Sequence, residues 1–132
     1  MILAAVFIVA GALKIVNPIG FARDITDYDL AAGLIVPAIA VVLPWWEVAA
    51  GVLAIAGRWR IGALTALTGM SAAFLIVGAI TFARGLSPEC GCFGFMSERV
   101  GPMSLTFEAA LLLACVLLLR KEFRRPEEDR RR

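Results

Sequence analysis

Two cysteines one glycine apart, Cys90-Gly91-Cys92, followed by Phe93-Gly94, are the residues of this 132-residue chain best suited to chemistry. The chain has three cysteines and no histidine, so it lacks the usual physiological-pH proton shuttle and the commonest metal ligand. Cysteines at this spacing have α-carbons about 5.5–7 Å apart in ordinary backbone, whereas a disulfide wants roughly 4.4–6.8 Å. The ring closes if the chain turns, and Gly91 permits the turn. Such a ring is strained, and strained, exposed disulfides have the higher potentials of catalytic or labile ones. Thiol–disulfide exchange is therefore the leading expectation, with Cys90 and Cys92 as attacking and resolving sulfurs in an order the sequence leaves open. A positive neighbour, Arg84 or Arg99, would favour the thiolate, and Glu89 would oppose it. Three other readings compete: a static staple in a non-catalytic scaffold or assembly factor, half of a metal site as in a metal chaperone, and an incidental pair. With only Cys115 as a further thiol, a four-ligand zinc site would need a dimer, so no metal is expected. Cys115 itself lies deep in an apolar run, where a small thiol usually serves packing.

A second group of residues stands out because it is charged inside apolar sequence. Glu47 follows Trp45 and Trp46 in the middle of one long run, and Lys14 lies near the end of another. An intramembrane carboxylate is expensive unless paired, hydrated or protonated. Lys14 is the natural partner for Glu47, and Glu108 is a rival for the same lysine. By residue count Lys14 is near one surface and Glu47 nearer mid-membrane, so lysine's reach or a kink at Pro44 must close the gap. Trp45 and Trp46 lie too deep for an interfacial belt. They are expected either to pack or to line a pocket for a flat redox ligand such as a quinone.

These residues need elements to hold them, and composition restricts which. Hydrophobic residues make up 61% of the chain, against roughly 45–50% in soluble domains, too much apolar surface for so short a chain to bury in water. The expected architecture is an all-α integral membrane protein: a four-transmembrane-helix bundle with spans at about 2–16, 33–57, 61–83 and 104–119, and a basic tail at 120–132. No positive residue precedes the first run, which argues for a retained helix rather than a signal peptide. Between the first two spans, Phe21, Ile25 and Tyr28 fall on one helical face among Arg23, Asp24 and Asp27, which predicts a short interfacial helix. Gly62, Gly69, Ser71 and Gly78 predict a close-packed face on the third span. The tail is expected to be disordered beyond Pro126. Nine of the thirteen basic residues fall where the second and fourth spans end, and Lys14, Arg23, Arg84 and Arg99 fall on the other side. The positive-inside rule then puts both termini in the cytoplasm and the cysteine loop outside the plasma (inner) membrane, in the periplasm or beyond, where disulfides persist. Nothing in the sequence suggests a nucleic-acid partner.

The order Lys14-Ile15-Val16-Asn17-Pro18, then Pro44-Trp45-Trp46-Glu47, then Cys90-Gly91-Cys92-Phe93-Gly94 resembles the MauE branch of the DoxX-like membrane proteins, over nearly the whole chain except the basic tail. The resemblance implies a four-helix integral membrane protein. MauE is associated with disulfide formation in the small subunit of methylamine dehydrogenase, and DoxX-like relatives are linked to quinones or thiol oxidoreductases. By the same resemblance the arrangement is similar to four-helix thiol oxidases of the vitamin K epoxide reductase type, which use a Cys-x-x-Cys pair beside a quinone. Here the spacing is one residue shorter and no second loop pair is present, so exchange with a thioredoxin-like or exported thiol protein is the partner expectation, with a quinone as the cofactor class.

Overall fold

The computed structural model describes residues 2–29, 33–57, 59–86 and 101–131, with side chains as far as residue 125. Among the described residues every regular element is an α-helix: α1 (Ile2–Val16), α2 (Pro18–Asp27), α3 (Ile35–Ala56), α4 (Arg60–Ala83) and α5 (Pro102–Arg131). The cysteine pair at 90 and 92 lies outside the described residues, as do Glu89, Arg99 and Arg58.

Asn17 and Pro18 make the first corner. Asn17 leaves helical geometry (φ −129°, ψ 72°), and its Oδ1 accepts a 3.0 Å bond from the Gly20 amide, capping α2. Pro18 occupies the first turn of α2, where a missing N–H costs nothing. The two helices meet at 100°. On α2, Phe21 is buried while Arg23 and Asp27 are exposed, the amphipathic pattern expected. The corner between α3 and α4 is tighter. Gly57 (φ 74°) and Trp59 (φ 60°) both take left-handed backbone, which suits glycine and strains tryptophan by about 1–2 kcal/mol.

Helices α3 and α4, and α5 over Pro102–Arg125, are each long and apolar enough to cross a membrane. Helix α1 passes the same test only together with α2, as a bent pair, so the spans number three, or four when that pair counts as one. Helix α5 runs on through Pro126 to Arg131, where the sequence suggested disorder. Extending a helix already anchored in a span needs only propagation, which is far easier than nucleation.

Apolar side chains cover the outside of the bundle as well as filling its core. Val41, Val42, Trp45, Val52, Ile55, Ile76, Leu113 and Leu117 face outward, while Lys14, Glu47, Ser71, Thr81 and Glu108 are buried. Large exposed apolar surface of this extent is what lipid tails cover. Hydroxyls facing apolar surroundings are satisfied within their own helix: Thr65, Thr68, Thr81 and Thr106 each donate a 2.7 Å bond to the carbonyl four residues back. Helix α1 packs chiefly on α3, and α4 on both α3 and α5. The close approach expected along α4 lies elsewhere. Gly62 and Gly69 have open space where a Cβ would be. It is Gly11 of α1 and Gly51 of α3 that need to be glycine: a Cβ on Gly11 would sit 2.8 Å from the Pro44 carbonyl oxygen, and one on Gly51 would sit 3.0 Å from that of Ala4. Of the four positions predicted on α4, Ser71 and Gly78 face inward.

Candidate functional site

The close α1–α3 seam sets the depth of the buried charges. Lys14 lies one turn beyond Gly11 on α1, and Glu47 lies between Pro44 and Gly51 on α3. The Lys14 ammonium donates to both carboxylate oxygens of Glu47, at 2.8 and 2.9 Å. Both residues are all but sealed, 2% and 1% exposed. Two aromatic rings complete the cover: the Lys14 Nζ lies 5.2 Å from the ring centre of Phe21 on α2 and 4.9 Å from that of Phe74 on α4. A cation over a ring face is attracted by the ring quadrupole, more so once desolvated. One lysine thus joins α1, α2, α3 and α4.

Of the two partners open in the sequence, the structure pairs Lys14 with Glu47. Glu108 of α5 lies on the same small cavity, about 20 Å³, which is also lined by Lys14, Glu47, Ser71 and Phe74. That volume is about the size of one water molecule, and most of its lining is apolar. Cys115 is fully buried, with its sulfur 3.8 Å from the Ser71 hydroxyl, at the seam of α4 and α5. It packs, as the sequence suggested.

Trp45 and Trp46 part company. Both are more than half exposed on the outer face of α3. Trp46 lines an open apolar groove of about 710 Å³ that runs along α3 from Leu34 and touches Met70 of α4, and Trp45 takes no part in it. Because α3 and α4 form an antiparallel pair, the Leu34 end of this groove lies at the end of the bundle where α4 finishes. The 87–100 connection, with Cys90 and Cys92, starts from that same end.

The start of the connection is tethered. Arg84, just past α4, donates 3.3 Å bonds to the carboxylate and the backbone carbonyl of Asp29, just past α2. Its guanidinium is thereby held by a carboxylate just beyond α2. At the opposite end, Arg60 at the start of α4 pairs with Glu122 of α5 at 3.2 Å. These two ion pairs mark the ends of the bundle and place the α3–α4 corner beside the basic part of α5. Sequence reasoning missed Phe21 and Phe74 as partners of Lys14. Phe21 was legible as the buried face of α2, but Phe74 had no signal in an apolar run. Among the described residues no group of three or more histidine, cysteine or acidic side chains could hold a metal.

No curated protein and no solved structure matches the chain. The family model described as methylamine utilisation protein MauE matches residues 1–121 of the 132, and the chain belongs to that family.

Proposed function

We propose that the protein is a membrane-embedded thiol–disulfide oxidoreductase that works through Cys90 and Cys92 on an exported or thioredoxin-like partner. The observation that carries this reading is the Cys-Gly-Cys-Phe-Gly sequence, placed in the connection between α4 and α5 of a MauE-family chain. In the oxidising direction, a partner thiolate attacks the Cys90–Cys92 disulfide. The S–S bond breaks, a mixed disulfide forms and the other cysteine leaves as thiolate. A second partner thiolate then attacks the partner sulfur of that mixed disulfide and displaces this chain's cysteine as thiolate, giving an oxidised partner and a reduced Cys90/Cys92 pair. Two electrons have moved onto the pair, which must then be reoxidised.

The groove along α3 fits the class of acceptor expected. Its apolar lining suits an isoprenoid tail, Trp46 offers a face for a flat ring, and its Leu34 end lies at the end of the bundle from which the 87–100 connection starts. A quinone bound there would supply a two-electron acceptor. The chain's own part would be to seat the ring against Trp46 and keep water out. The Lys14–Glu47 pair would support that seating indirectly, by fixing α3 against α1 and α4.

Trapping tests the proposal. Cys92→Ser should accumulate a mixed disulfide through Cys90, or Cys90→Ser one through Cys92, visible as a reductant-sensitive adduct. If neither variant traps a partner or alters the redox state of exported proteins, the reading fails. A couple titrating well below about −300 mV would point instead to a structural staple in a scaffold.

A further inference from the structure

The continuation of α5 past the apolar run creates a feature that the redox reading does not use. Arg120, Lys121, Arg124 and Arg125 recur at one- and four-residue intervals, which puts them within one side of a helix. With Leu117 they line a shallow concavity of about 440 Å³. All four are exposed. The acidic residue in their midst, Glu122, is turned to the other side, where Arg60 of α4 holds it at 3.2 Å; Arg125 also reaches it at 3.2 Å from the edge of the cationic face. The position along the helix matters as much as the charge. The apolar run ends at Leu119, and the five residues from there to Arg124 rise about 7.5 Å. That matches the depth of the headgroup layer on one side of a bilayer, roughly 5–8 Å. The acidic residues Glu127, Glu128 and Asp129 come only after it.

We propose that this face of α5 binds the headgroup of an anionic phospholipid, with the phosphodiester among Arg120, Lys121 and Arg124 and an acyl chain running down past Leu117. Arginine offers paired donors to phosphate oxygens and lysine a point charge, and both keep their stems along apolar surface. The inference is independent of the cysteine chemistry. It assigns a ligand class to a stretch that topology rules treat only as a sum of charges.

The test uses the full-length protein, solubilised and exchanged into mixed micelles containing equal amounts of phosphatidylglycerol and phosphatidylcholine, followed by mass spectrometry of the lipid that stays bound. The unaltered protein should retain phosphatidylglycerol selectively, and added inorganic phosphate should not displace it. A triple variant, Arg120→Gln with Lys121→Gln and Arg124→Gln, should lose about tenfold or more of that preference. A second triple variant, Arg130→Gln with Arg131→Gln and Arg132→Gln, removes the same charge beyond the face and should keep it. Should the first variant fail to fold, the unaltered protein still decides, because its preference must weaken as salt is raised. Equal retention of both lipids, displacement by phosphate, salt-independent retention or equal losses in the two triple variants would overturn the proposal.

Discussion

Lys14 shows how one side chain can carry more structural information than its type suggests. Its charge is spent on Glu47, its flanks are covered by Phe21 and Phe74, and no part of it reaches solvent. Removing one member of such a pair leaves a buried charge without its counterion, which costs about 3–5 kcal/mol, whereas replacing both by apolar groups is often neutral. Lys14→Met and Glu47→Leu should therefore each lower the thermal midpoint sharply in detergent, and the double variant should recover most of the loss. Thermal unfolding of the four proteins in one detergent measures this. Additive losses in the double variant would show that the pair is not coupled as the geometry requires. The sequence made both charges conspicuous, because lysine and glutamate inside apolar runs demand partners. It left open whether Lys14 meets Glu47 or Glu108, because that choice depends on how deep α1 sits against α3.

At the scale of elements, that depth is set by glycines that look alike in sequence. Gly11 and Gly51 face backbone across the α1–α3 seam, whereas Gly62 and Gly69 face open space. Gly11→Ala forces a methyl to 2.8 Å from the Pro44 carbonyl oxygen and should destabilise the bundle, displacing Lys14 from Glu47 as well. Gly69→Ala meets nothing and should be neutral or stabilising by up to about 1 kcal/mol, the difference in helix propensity. A thermal-shift comparison of the two variants checks the assignment, and a reversed ranking would refute the seam. The same scale explains what was legible. The α1–α2 corner could be read from Asn17-Pro18, since a capping side chain followed by proline is a local signal. Asn17→Ala should cost about 1 kcal/mol through loss of the bond to Gly20, seen as a lower unfolding midpoint. Which face of α4 packs was not legible, because small residues on both sides of it give no directional cue and the partner helix decides.

For the whole molecule, the two ion pairs at opposite ends define an axis. Arg60 and Glu122 lie at one end with the cationic stretch of α5, and Arg84 and Asp29 lie at the other with the start of the 87–100 connection. Charge counting in the sequence had already separated the same groups. For Arg60, Arg84 and the stretch from Arg120 to Arg125 the ends agree, and α5 carries that stretch as a continuous helix. The span count was less legible, because α1 is 15 residues, roughly 23 Å and short of a bilayer's usual thickness, and α2 turns away from it at 100°. Labelling can decide the sidedness that the proposed function needs. After reduction, an impermeant maleimide added to intact cells should modify Cys90 and Cys92, while Cys115, fully buried between α4 and α5, should react only after denaturation. A cysteine placed at the exposed Phe123 position, in a background lacking Cys90 and Cys92, should label only once the membrane is opened. Were Phe123→Cys and the Cys90/Cys92 pair to label from the same side, α5 would not cross the bilayer between them. Were both to label only after the membrane is opened, the thiol pair would lie inside the cell with the cationic stretch, and exchange with exported proteins would have no route.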